Sequence, residues 1–90
     1  MPYVLFYHPD VSKDTARIPK NIKERIQKAI EGRLTADPYH FGDPLRRSLQ
    51  GYRKLRVGDY RIIYKVDKNK VVILKIGHRK DVYTKFNFEE

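Results

Sequence analysis

Lys54, Arg56, Arg61, Lys75 and Arg79 recur along one stretch, Gly51 to Tyr83, whose remaining positions are largely apolar. Such cations suit a phosphodiester: arginine offers a planar fork to phosphate oxygens, and lysine a compact charge on a flexible stem. If the bound strand is RNA, the protein need not supply the nucleophile. The 2′-hydroxyl can attack the neighbouring phosphorus. The protein then has to take up one proton, hold the charge of the pentacoordinate phosphorus and protonate the leaving oxygen. A lysine crowded by like charges gives up its proton more readily, so a cationic cluster can provide base as well as charge. Metal chemistry has no comparable support. Asp59, Asp67, Asp81 and Glu89 lack ligand spacing and His8, His40 and His78 are scattered, so no metal or other cofactor is expected. Neither a Gly-rich phosphate loop nor a nucleophile elbow is present.

The elements that must position these cations are short strands. Gly58-Asp59 separates Leu55-Arg56-Val57 from Tyr60-Arg61-Ile62, which predicts a two-residue hairpin loop. Val57 then pairs with Tyr60, Arg56 with Arg61, Leu55 with Ile62 and Lys54 with Ile63. Alternation puts Leu55, Val57, Tyr60, Ile62, Tyr64 and Val66 on a core face and Lys54, Arg56 and Arg61 on the other. A third strand from Val71 to Gly77 follows. With Lys68-Asn69-Lys70 as its loop and Asn69 left-handed, Val72, Leu74 and Ile76 join the core face. Lys75 joins the cationic one, whereas a four-residue loop would turn Lys75 inward at a cost. Arg56 directly opposite Arg61 is unfavourable, which calls for an anion between them.

Ninety residues suit a single domain, 1–90, with a small core. Twenty Lys and Arg against eleven Asp and Glu leave a net charge of +9, which points to a polyanionic partner. The absence of cysteine excludes disulfides and thiolate metal sites. No apolar run approaches the ~20 residues that span a bilayer, and the N-terminus does not read as a signal peptide, so a cytoplasmic protein without membrane contact is expected.

Upstream, Tyr3 to His8 has strand composition, and Val11, Thr15 and Ile18 have weak helical spacing. From Pro19 to about Leu34, Ile22, Ile26, Ala29, Ile30 and Leu34 form one apolar helical stripe. Thr35 to Gly51 reads as a loop broken at Asp37-Pro38 and Gly42-Asp43-Pro44, with a helical turn over Leu45–Gln50. Alternation of Val82, Thr84, Phe86 and Phe88 suggests a short last strand. The fold class expected is α+β: a small antiparallel-rich sheet in the order strand-helix-helix-strand-strand-strand. A two-helix hairpin packs on one face, and the open face is cationic.

The stretch LRRSLQGYRKLRVGDYRIIYKV followed by GHRKDVY resembles the RelE/ParE superfamily of bacterial and archaeal toxins, most closely its RelE-type branch. The resemblance runs from the opening strand to Tyr83. It implies a toxin of a type II toxin–antitoxin system that inhibits translation by cutting messenger RNA on the ribosome, held inactive by an acidic antitoxin. By the same likeness Lys54 is the base or its electrostatic partner, Arg61 stabilises the transition-state phosphate, and Arg79 acts on the leaving group or the phosphate. Tyr83 stacks on a base or orients the nucleotide. Arg53, Arg56, Lys75, His78 and Lys80 are then the residues expected to hold RNA.

One departure stands out. The best-known RelE toxins carry two lysines two positions apart, and Tyr52 stands where the first would be. The base therefore stays open between Lys54 and His78. Blander roles are also open: Arg61 pairing with Asp59 or Asp81, Arg79 with Asp81, Tyr83 packing on the sheet, His78 closing a turn. The alternatives at the level of function are a ParE-like inhibitor of DNA gyrase, whose branch lacks the aligned cations, and a non-catalytic member of the same fold.

Overall fold

Gly58 and Asp59 close the reversal on which the sheet is built. Val57 pairs with Tyr60, Arg56 with Arg61, Leu55 with Ile62 and Lys54 with Ile63, the register expected from the sequence. Gly58 has φ +59°, and Asp59 stays out of the left-handed region. Glycine first is the arrangement that matches a two-residue loop to the twist of a hairpin. The computed structural model describes residues 2–45 and 51–85, with side chains described as far as Tyr83. Their order is β1 (Val4–Tyr7), α1 (Asp10–Thr15), α2 (Lys20–Ala29) continued by a π-helical turn (Ile30–Leu34), α3 (Pro38–Phe41), β2 (Asp43–Pro44), β3 (Arg53–Val57), β4 (Tyr60–Asp67), β5 (Lys70–His78) and α4 (Val82–Lys85). The sheet runs β1-β5-β4-β3-β2, parallel only between β1 and β5.

The α2 stripe explains the π-helical turn. Residues four apart drift by about 40° per step around an α-helix of 3.6 residues per turn. Ile26, Ile30 and Leu34 are spaced this way, and the wider turn keeps Leu34 pointing inward; all three are buried. They pack with Val11, Ile18, Leu55, Val57, Ile62, Tyr64, Val71, Ile73 and Ile76 in one core between the helices and the sheet.

Strand β5 departs from the expected register. Its turn has two residues, Lys68-Asn69, with Asp67 paired to Lys70, and Lys68 rather than Asn69 takes a positive φ of 57°. A bulge follows: Ile63 pairs with Lys75 but Tyr64 with Ile73, leaving Leu74 without a pairing partner. The buried residues of β5 are therefore Val71, Ile73 and Ile76, not Val72, Leu74 and Ile76. Two irregularities cancel at Ile76, which returns to the face expected of it. Strand β1 covers β5 only along Lys70–Ile73. Past that point α1 takes over the edge, and the Asp14 carboxylate accepts the Ile76 N–H at 3.1 Å.

The segment expected to be a loop contains α3 and β2. Asp37 caps α3 by accepting the His40 N–H at 3.1 Å, with Pro38 in the first turn. Gly42 is required there, since a side chain would collide with the Tyr64 hydroxyl, which donates to Pro38 O. Val82–Lys85 is helical, not a strand, while Phe86, Phe88 and the helical turn expected beyond Leu45 lie outside the described residues. Helix α4 folds back over the sheet face opposite α2. There Val82 and Leu45 bury Ile63, with Tyr52 and Tyr83 packed alongside. The second face is thus partly covered rather than open. No helix among the described residues is long and apolar enough to cross a membrane.

Candidate active site on the cationic sheet face

Register and alternation bring Lys54, Arg56 and Arg61 to the face that α4 partly covers. Tyr83, carried there by α4, joins them. The Lys54 ammonium lies 5.8 Å from the centre of the Tyr83 ring, a cation–π contact. The Tyr83 hydroxyl is buried and makes no well-formed hydrogen bond among the described residues. Burial pushes this phenol above its ordinary pKa of 10.0, and the positive charges of Arg61 and Arg56 pull against that shift. Arg61 is only 9% exposed, and its Nη1 donates to Gly58 O at 3.0 Å and Tyr60 O at 2.9 Å. The hairpin turn itself therefore fixes this guanidinium. Gly77 lies opposite Arg61 in β5 and must stay small, because a side chain there would press on Val82 at 3.1 Å.

Arg79 stands at the same end of the sheet. Its N–H donates to Asp59 O at 2.8 Å and its Nε lies 3.5 Å from the Asp59 carboxylate; its side chain is 53% exposed. The partner of Asp59 is thus Arg79, not Arg61. An exposed pair of this kind is held weakly and can open to a competing anion.

Of the residues expected to hold RNA, Arg53 and His78 are turned away from this face, and Lys75 is engaged at its edge. Arg53, next to Lys54, faces the helical layer. Its Nη2 donates to Tyr39 O at 2.9 Å and Gly42 O at 2.8 Å, and its guanidinium carbon lies 5.2 Å from the Tyr39 ring centre. It fastens α3 and β2 to β3. Lys75 lies opposite Ile63, on the face expected of it, but its ammonium reaches over the sheet edge to α1, 3.2 Å from Asp14 and 3.9 Å from Asp10. Asp10 and Asp14, four apart on one helix face, were the sequence signal for that pairing. His78 pairs with Tyr60 across the sheet and stacks edge-to-face on it at 5.6 Å, so alternation turns it away from Arg61. Its Nδ1 accepts the Lys80 N–H at 3.2 Å, the turn-closing role. The Lys80 side chain is exposed just beyond. Among the described residues no group of His, Cys, Asp or Glu is arranged to hold a metal ion.

A family model described as the ParE toxin of type II toxin–antitoxin systems matches residues 3–83. The RelG toxin of Mycobacterium tuberculosis is 35% identical over 85 residues, covering 92% of this chain and 98% of the relative. The RelE toxin of the same organism is 32% identical over 84 residues, covering 91% and 87%. Among solved structures, a chain of the RelBE2 toxin–antitoxin complex of Mycobacterium tuberculosis superposes with TM-score 0.80 and 33% identity, covering 88% of this chain and all of that one. A chain of the RelB–RelE complex from Methanococcus jannaschii gives 0.72 and 25%, covering 90% and 98%. By the family match over residues 3–83 and these relatives, the chain belongs to the RelE/ParE superfamily, as a RelE-type toxin of a type II toxin–antitoxin system.

Proposed function

We propose that this toxin is a ribosome-dependent endoribonuclease that cuts messenger RNA by attack of the substrate's own 2′-hydroxyl, and that an acidic antitoxin silences it. The observation that carries the reading is the convergence of Lys54, Arg56, Arg61 and Tyr83 on one sheet face. Arg61, held by the hairpin carbonyls, presents preorganised positive charge to the phosphate as the pentacoordinate state forms. The oxygen of the 2′-hydroxyl bonds to phosphorus while its proton leaves toward Lys54. The bond from phosphorus to the 5′-oxygen breaks, and that oxygen takes up a proton from solvent water. The products carry a 2′,3′-cyclic phosphate and a 5′-hydroxyl. Arg79, released from Asp59, follows the leaving oxygen. Tyr83 acts by holding Lys54 and Arg61 in place, since one face of its ring already carries the Lys54 ammonium.

Translating ribosomes programmed with a defined message test this. Cuts within the decoding-site codon are expected, together with their loss when the nucleotide 5′ of the scissile bond is 2′-deoxy. A deoxy message cut at the normal rate would remove the proposed nucleophile. The family match described as a ParE toxin favours a second reading, inhibition of DNA gyrase. Intact message alongside blocked supercoiling would support it.

A further inference from the structure

The cationic face does not end at the edge of the sheet. Strand β2 pairs only with Arg53 and Lys54, so the outer edge of β3 from Leu55 to Val57 has no strand beside it among the described residues. Against that edge lies a groove of about 430 Å³ between α2 and β3, with Arg25, Lys28, Arg33 and Arg56 around it and Glu24 as its one acid. All four cations are exposed, and none forms an ion pair among the described residues. Arg25 reaches across to the hairpin: a methyl group placed on Gly58 would meet its Nη1 at 3.5 Å. Arg56 belongs to both surfaces, opposite Arg61 on the sheet face and on the wall of the groove.

We infer that this groove is a track for the phosphodiester backbone of the same RNA strand whose phosphate lies on the sheet face, entered over the β3 edge at Arg56. The inference rests on reading that face as an RNA site and extends it by naming the path of the flanking nucleotides. It also accounts for the Arg56–Arg61 juxtaposition, because phosphates on either side of Arg56 relieve the repulsion between the two guanidinia. The lining chooses between polyanions. A protein segment needs apolar anchors, and this groove offers only Ala29 and Val57, both buried. The groove between α1 and α2, floored by Tyr7, Val11, Ile26, Ile30 and Ile76, has the opposite character and suits protein side chains.

The test is binding of uncleavable 2′-O-methyl RNA to the free chain, followed by fluorescence anisotropy across a salt series. A dinucleotide covering one phosphate is compared with a strand extended by several nucleotides. Arg25→Gln with Arg33→Gln should weaken the extended strand severalfold and flatten its salt dependence by about 0.7 in slope per cation removed. The loss should be confined to the extended strand and exceed twice that of Lys13→Gln, which removes one exposed cation on α1. An equal loss per cation removed from Lys13→Gln would reduce the effect to general charge and overturn the track. So would unchanged RNA binding with weakened capture of an acidic antitoxin, or a loss seen only on empty ribosomes. Cleavage that needs Arg61 but ignores the groove pair would defeat the track alone. Length-dependent binding without any cleavage would defeat the nuclease reading and leave the track standing.

Discussion

Arg53 and Lys54 are adjacent cations with opposite uses, because a strand sends neighbouring side chains to opposite faces. Arg53 gives two hydrogen bonds to loop carbonyls. Arg53→Ala should therefore lower the unfolding free energy by about 2 kcal/mol, the scale of losing charged donors to partly buried acceptors. Urea denaturation checks this; an unchanged midpoint would return Arg53 to the list of RNA contacts. Tyr83→Phe deletes a buried hydroxyl that has no well-formed partner. Its stability should stay within about 1 kcal/mol of the parent, or rise. Cleavage should change little if the ring is what positions Lys54, and fall by ~10² if the hydroxyl transfers a proton. At this scale the sequence was informative where alternation alone decides, as for Lys54, Arg56 and Arg61. For Lys75 it gave the face but not the partners, since Asp10 and Asp14 lie more than sixty positions away in α1.

Turn chemistry separates what was legible among the elements from what was not. Gly58-Asp59 carries glycine where a positive φ is needed, so the β3–β4 register could be read directly. Lys68-Asn69 does not, since the left-handed position falls on a lysine and the neighbouring asparagine misleads. Lys68→Gly should stabilise the protein by about 0.5–1 kcal/mol, because relief of the left-handed strain of a side-chain-bearing residue exceeds the entropy lost with glycine. Thermal unfolding of the two chains would show the difference, and a lower midpoint for the glycine variant would contradict it. The bulge at Leu74 had no local signal, because Val71-Val72-Ile73-Leu74 is apolar at every position. The one-turn helix α3 did have one, in Asp37 as a cap followed by Pro38.

Across the whole molecule, burial raises the pKa of three tyrosines, Tyr7, Tyr64 and Tyr83, above the ordinary 10.0. The folded state then holds those protons more tightly than the unfolded chain. Their contribution is complete below about pH 10 and is lost as the pH rises through the folded values, so stability should fall above about pH 10. Urea midpoints taken from about pH 8 to 11 would show this, and a flat profile would refute it. The covering of the second face by α4 was the least legible feature, since a single turn of helix has too few residues to show periodicity. That cover places Tyr83 among the cations, so the proposed chemistry depends on tertiary packing as much as on the hairpin. The most direct measurement is the single-turnover rate of message cleavage on programmed ribosomes by Arg61→Ala. A fall of at least ~10²-fold with ribosome binding retained is expected from loss of a preorganised charge at the phosphate. Cleavage at the parent rate would contradict the assignment of this sheet face as the catalytic site.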